Sequence, residues 1–167
     1  MLKRILIPAT LVLAILMLLL IGWIFWNSPG ETNDPASYSL LLRRLGYPDN
    51  EGIAFFPASI PTDAEAPQLH YQPGMLQGGT TLHLSYTIDA ALIEDHAAQY
   101  AALSAWVGPI TDAPDAIRSH SFLRNLPDSA TLYVLYAKPY QEGSWNHGET
   151  RLVAISGTRI LFQYDRW

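Results

Sequence analysis

An uncharged, strongly apolar run from Ile5 to Trp26 constrains the fold of this chain more than any other feature. Because about 20 apolar residues in a helix cross a hydrocarbon core of roughly 30 Å, it predicts a transmembrane helix over residues 5–26. Lys3 and Arg4 precede the run, and basic residues favour the cytoplasmic side, so residues 1–4 are expected inside the cell. A cleaved signal peptide is the alternative, although its apolar region is usually about 7–15 residues long.

The rest of the chain divides into a short linker and one domain. Residues 27–34 contain helix breakers and are expected to form the linker, and residues 35–167 are long enough for one extracytoplasmic domain with its own core. The whole chain has 10 Lys and Arg against 15 Asp and Glu, a net charge of −5. Nucleic-acid binding needs a basic surface, so no nucleic acid is expected as a partner. The chain has no cysteine, which excludes disulfides and thiolate chemistry.

Hydrophobic periodicity predicts an α+β domain with one antiparallel sheet of about five or six strands and two helices. The alternation of apolar and polar residues is clearest over Thr81–Ile88, where the even-numbered side chains should face the core. One helix is expected to begin at Asp34-Pro35. The other is expected to run from about Ala90 to Ala105 and to be ended by Gly108-Pro109, with an apolar face that carries Leu92, Ile93, Ala97, Tyr100 and Leu103. The strands are expected at residues 68–72, 81–88, 119–124, 131–137, 149–156 and 159–165.

The stretch Gly74–Thr81 (GMLQGGTT) comes close to the phosphate-binding pattern G-x-x-x-x-G-K-[ST]. Thr80 stands where the pattern needs a lysine, and a strand follows where the pattern needs a helix. The stretch therefore predicts a turn between two antiparallel strands, and no nucleotide is expected as a ligand. The tip of this turn consists of Met75, Leu76 and Gln77. These tip residues either fold back onto the core or form an exposed apolar contact with a partner.

Two histidines become neighbours if the strands on either side of this turn pair with each other. His70 and His83 would then lie opposite each other, and two adjacent imidazoles could bind a metal ion or respond to pH. A solvated sheet face is the simpler interpretation, since His83 alternates with Thr and Ser. No spacing supplies a third ligand, so no metal or other cofactor is expected. No recognisable motif identifies a catalytic nucleophile, and the catalytic residues of any enzyme activity stay unknown.

The loop over residues 139–148 (PYQEGSWNHG) is a second candidate binding surface. It presents the amphipathic side chains Tyr140, Trp145 and His147. Tyr and Trp are over-represented at the hot spots of binding surfaces, which favours a binding role for the loop. A large side chain such as Trp145 could instead cover the core.

The C-terminal hairpin carries three arginines, Arg151, Arg159 and Arg166. In a chain with more acidic than basic residues, these arginines are expected to pair with carboxylates. As exposed ion pairs they would contribute little to stability.

Two segments, Phe56–Ala64 (FPASIPTDA) and Tyr71–Thr80 (YQPGMLQGGT), resemble bacterial membrane-anchored proteins of uncharacterised activity. Those proteins carry an F-P-x-x-I-P-x-x-A segment and a P-G-[FM]-L-Q-G-G loop. The resemblance implies the order of an anchor, a Pro-rich extended arm, a Gly-rich turn and a strand, and it implies no activity.

These patterns together predict a single-pass protein of the cell membrane that contacts the lipid bilayer through residues 5–26. Its outer domain would act as a binding, accessory or sensory module whose partner is an envelope protein or a glycan. The alternative function is a cell-envelope hydrolase that uses carboxylates or the pair His70 and His83.

Overall fold

A computed structural model describes residues 11–20, 22–23, 29–74, 79–114, 117, 123, 126–138 and 148–167. Within these residues the protein is α+β, with three helices and a six-stranded antiparallel sheet of order β1-β2-β6-β5-β4-β3. The helices are α1, described over residues 11–20 and 22–23, α2 (Tyr38–Arg44) and α3 (Ala90–Leu103). The strands are β1 (Glu65–Gln72), β2 (Thr80–Thr87), β3 (Trp106–Pro109), β4 (Thr131–Lys138), β5 (Glu149–Ser156) and β6 (Arg159–Arg166).

The structure contradicts the transmembrane helix predicted over residues 5–26. No helix in the described part of the chain is long and apolar enough to cross a membrane. The prediction of a single-pass membrane location, with residues 35–167 outside the cell, rested on that helix. It is therefore also wrong. The expected contact with a lipid bilayer depended on the same helix.

The first helix of the domain begins where the sequence predicts. The side chain of Asp34 accepts a hydrogen bond from the backbone N–H of Ala36 at 3.0 Å, and a short 3₁₀ turn then leads into α2. Gly46 follows the helix with a φ of +84°, a backbone conformation that favours glycine. The predicted cap and stop signals therefore both have their expected structural roles.

One face of the sheet, here named the packed face, lies beneath α2, α3 and the turns around Ile53 and Phe56. The alternation predicted over Thr81–Ile88 is confirmed, because its even-numbered side chains are all buried on this face. The segment from 51 to 56 forms turns rather than the extended arm that the sequence predicted.

Helix α3 packs through a narrower stripe than its sequence predicted. Ile93 and Tyr100 are buried against the sheet, with Ala97 partly buried between them. Leu92 and Leu103, which were expected on the same apolar face, are 40% and 56% exposed. Because Ile93, Ala97 and Tyr100 are spaced four and three residues apart, a single row of side chains suffices to attach the helix.

The opposite face of the sheet differs between its two ends. Over β4 and β5 it is covered, and we name this region the covered half; its buried side chains are Leu132, Val134, Leu152 and Ala154, packed against Ile110, Ala113, Ile117 and Leu123. Over β1, β2 and β6 its side chains are mostly polar, and we name this region the polar half; it comprises Gln68, His70, Gln72, Thr81, His83, Ser85, Arg159, Leu161, Gln163 and Asp165.

The outer edge of strand β1 pairs with a residue from the predicted linker. Thr32 and Tyr71 exchange two backbone hydrogen bonds, of 3.1 and 2.8 Å. The register between β1 and β2 shifts between Glu65 and Gln68, where Ala66 has a φ of +47°. Both features interrupt the free edge, which is how natural sheets avoid pairing with other chains.

The strand β3 replaces a predicted end of helix. The sequence predicted that α3 continues to Ala105 and that Gly108-Pro109 stops it, whereas the helix ends at Leu103 and Trp106–Pro109 pairs with β4. Proline is tolerated there because β3 is the last strand at this side of the described sheet. The strand predicted at residues 119–124 falls almost entirely outside the described residues.

Candidate functional site

The polar half forms because three strands each present alternate polar residues to the same side. Antiparallel pairing places His70, His83 and Gln163 in one row across β1, β2 and β6. The neighbouring row consists of Gln68, Ser85 and Leu161, and the row on the other side consists of Gln72, Thr81 and Asp165. Strand pairing therefore gathers polar groups that are far apart in the sequence.

The two histidines pair as the expected register requires, with their ring centroids 5.9 Å apart. Nδ1 of His70 lies 2.7 Å from Oδ1 of Asn33, which ties this ring to the segment before α2. Among the described residues, no three His, Asp or Glu side chains converge as metal ligands. A metal ion on His70 and His83 would thus lack the third protein ligand that a catalytic zinc site uses.

Asp165 is a buried carboxylate at the end of the polar half. Oδ1 of Asp165 lies 3.6 Å from Nε2 of His83, and Gln163 donates a hydrogen bond from Nε2 to Oδ2. Burial alone would raise the pKa of Asp165. The neighbouring His83, with Thr81 and Gln163 as hydrogen-bond donors, outweighs burial and holds the pKa of this carboxyl below its ordinary value. Asp165 is therefore ionised at neutral pH.

Arg159 bends along the sheet toward β1 and β2, and its side chain stays exposed to solvent. Its Nη2 donates to Oε1 of Gln68 at 2.8 Å and to Oγ of Ser85 at 3.0 Å. Both acceptors are neutral, and no carboxylate of the described residues lies within ion-pair distance of this guanidinium. The expectation that the hairpin arginines pair with carboxylates holds for Arg151, which contacts Glu149 at 2.7 Å, and not for Arg159.

A concavity of about 250 Å³ lies over these groups. Its polar lining includes Gln68, His70, His83, Ser85 and Arg159. Leu126 and Leu161 add apolar surface to the same wall. The polar half is thus a shallow depression with hydrogen-bond donors and acceptors in its floor and apolar groups at its side.

A larger depression of about 410 Å³ lies on the packed face, near the exposed Leu103 and Tyr136. Its arginine, Arg151, is held by Glu149 and stacks over the ring of Tyr136 at 4.8 Å. The arginine of this depression is therefore already paired with a carboxylate, which distinguishes it from Arg159 of the polar half.

Six of the predicted site residues cannot be placed in either depression. Met75, Leu76, Gln77, Tyr140, Trp145 and His147 lie outside the described residues. Strands flank the Gly-rich turn on both sides, as predicted, and the backbone N–H of Gly74 donates to Oγ1 of Thr80 at its base. The binding roles of the tip and of the loop over residues 139–148 stay predictions.

Sequence reasoning missed Arg159, Gln163 and Asp165 as members of a site. The available signal was the alternation within β6, where these three odd-numbered residues share one face. Comparisons with protein-family models, with curated proteins and with solved structures found no match for this chain.

Proposed function

We propose that this protein is a binding module that holds a small polar ligand on the polar half of its sheet. The observation that carries the proposal is the concavity of about 250 Å³ lined by the polar side chains Gln68, His70, His83, Ser85 and Arg159. Sites for drug-sized ligands measure about 300–1,000 Å³, so the ligand is smaller than a typical drug. A single sugar unit of a glycan has the right size and polarity.

The arrangement of the polar groups supports binding more than catalysis. Arg159, Gln68 and Ser85 hold one another through hydrogen bonds, so their positions are fixed before a ligand arrives. Fixed polar groups favour affinity, because little side-chain freedom is lost when the ligand binds. None of these three groups is paired with a base that would activate it as a nucleophile.

A nuclear magnetic resonance screen of the full-length chain against small polar molecules tests the binding function. We expect the amide shifts caused by the hits to cluster on β1, β2 and β6 around the concavity. Hits that cluster on another surface, or a screen without hits at millimolar concentration, would contradict the proposal.

Hydrolysis is a second candidate function, because His83 lies 3.6 Å from a carboxylate that is ionised at neutral pH. A carboxylate beside an imidazole can orient it as a general base. The test is the rate of p-nitrophenyl acetate hydrolysis by the unmodified protein, by His83→Ala and by His96→Ala as the matched histidine control. A rate that only His83→Ala abolishes would replace binding with hydrolysis as the function of this site.

A further inference from the structure

We infer that the ligand of the polar half is a small anion that also carries hydroxyl groups. Its carboxylate or phosphate would bind Arg159, and one of its hydroxyls would donate to His70. This inference rests on the proposed binding function and specifies the ligand class for the same site.

Arg159 has hydrogen-bond donors that the described protein leaves without partners. Both of its hydrogen bonds start at Nη2, which has two N–H groups and is therefore saturated by Gln68 and Ser85. The N–H groups of Nε and Nη1 make no hydrogen bond within the described residues. Because the guanidinium is always charged and lines the concavity, an oxyanion is the ligand group that it binds best.

His70 supplies an acceptor in the same concavity. Its Nδ1 lies 2.7 Å from Oδ1 of Asn33, and an amide oxygen only accepts, so Nδ1 carries the donated hydrogen. The neutral ring then presents Nε2 as an acceptor. A ligand hydroxyl satisfies this nitrogen, whereas a second carboxylate would not.

The spacing of the two groups fits one small molecule. The guanidinium lies over the row of Gln68 and Ser85, two residues along the strands from His70 and His83. At about 3.4 Å per residue, the two rows are about 7 Å apart. This separation and the concavity of about 250 Å³ suit a molecule the size of one sugar ring with an acidic substituent.

The charges of the site also determine the orientation in which the ligand binds. Asp165 lies one row beyond His83, on the side away from Arg159. Its carboxylate repels a second negative charge at the histidine end and leaves the Arg159 end for the anion. The hydroxylated end of the ligand therefore lies toward His70.

Shift titrations of the full-length chain with four probes test the inference. The probes are glucuronate, glucose 6-phosphate, glucose and acetate. We expect the two hydroxylated anions to shift amides of β1, β2 and β6 at lower concentration than glucose or acetate. The relative affinity of glucuronate and glucose 6-phosphate then distinguishes a carboxylate from a phosphate ligand.

Substitutions of Arg159 and of His70 test the contact with the anion and the contact with the hydroxyl separately. Arg159→Gln should weaken binding of the hydroxylated anions about 10- to 100-fold, as expected for a lost charge-assisted contact. Arg166→Gln is the matched control, because Arg166 is on the same strand with its side chain on the packed face. His70→Ala should weaken the binding of glucuronate and leave the binding of acetate unchanged. His70→Gln, which retains an acceptor, should restore part of the affinity for glucuronate.

Three outcomes would overturn the inference. Equal binding of glucose and glucuronate removes the role of the anion, and equal binding of acetate and glucuronate removes the role of the hydroxyls. Failure of all four probes below about 10 mM, far weaker than ordinary ligand affinities, excludes the ligand class. In each case the proposed binding function still stands if the wider screen yields other ligands that shift the same amides, and it fails separately if those shifts lie elsewhere.

Discussion

The covered half and the polar half are two ends of one sheet face, and a single row of side chains crosses both. The row begins with His70, His83 and Gln163 and continues with Leu152 and Val134. The change from polar to apolar falls between β6 and β5. The side chains that cover the apolar end lie over β4 and β5.

This difference separates the apolar side chains that stabilise the fold from the polar side chains of the proposed ligand site, within one sheet. Where the sheet has a second layer, its residues are apolar and contribute the free energy of burial. Over β1, β2 and β6 the same face carries polar residues; Ser85, Gln163 and Asp165 are buried there and need hydrogen-bond partners, whereas Arg159 stays exposed. The predictions below compare the two halves, starting with the largest expected effect.

Leu152→Ala should lower the free energy of unfolding by about 2–5 kcal/mol, because it empties a fully buried position of the covered half. Urea unfolding measures the change. Leu161→Ala is the matched control in the polar half, where the side chain is only partly buried, and should cost about 1 kcal/mol or less. Equal costs for the two variants would show that the halves do not differ in packing.

Asp165→Asn should lower the free energy of unfolding by about 1–3 kcal/mol at pH 7, because it removes a buried, hydrogen-bonded charge. The folded state holds the pKa of Asp165 below its value in the unfolded chain, near 3.8. Its contribution is therefore complete above that value and is lost as the pH falls through the folded-state pKa.

Unfolding measured between pH 2 and pH 7 tests this contribution, since the difference between the unmodified protein and Asp165→Asn should shrink toward acid pH. The exposed Asp63 gives the control Asp63→Asn, which should change the stability by less than about 0.5 kcal/mol. A difference that is independent of pH would exclude the low pKa.

His96→Gln should make stability less dependent on pH near neutrality, and this effect belongs to α3 rather than to the polar half. Burial lowers the pKa of His96 below the 6.5 of a free imidazole, although the nearby Asp95 acts in the opposite direction. The folded state therefore loses stability as the pH falls below about 6.5. Thermal unfolding at pH 7.5 and pH 5.5 measures the loss, which should be smaller in the variant, and an unchanged loss would contradict the assignment.

Arg159→Gln should change the free energy of unfolding by less than about 0.5 kcal/mol, the smallest effect of the series. The side chain is exposed, and its hydrogen bonds to Gln68 and Ser85 are replaced by water when it is removed. Urea unfolding measures the change. A large loss of stability would mean that Arg159 has a structural role in the sheet.

The sequence predicted the strands that are half buried, because alternation in a strand reports directly on burial. The Thr81–Ile88 pattern and the Gly-rich turn before it were enough to place His70 opposite His83. The cap at Asp34 was equally local, since it depends on a side chain and a backbone N–H two residues away.

The polar half could not be predicted in the same way, because it depends on contacts between distant segments. Arg159 bonds to Gln68 across a separation of 91 residues, and no local pattern encodes that neighbour. The prediction for residues 5–26 rested on composition alone, and no helix in the described part of the chain is long and apolar enough to cross a membrane.

The position of β6 between β2 and β5 has a consequence for the order of events during synthesis. The β1–β2 hairpin and the sheet of β3, β4 and β5 can each form while residues 159–166 are still unmade. The two parts become one sheet only when this strand inserts between them, a long-range pairing of the kind that folds slowly. Since Arg159, Gln163 and Asp165 all belong to that strand, the side chains of the proposed ligand site come together at the same step that completes the fold.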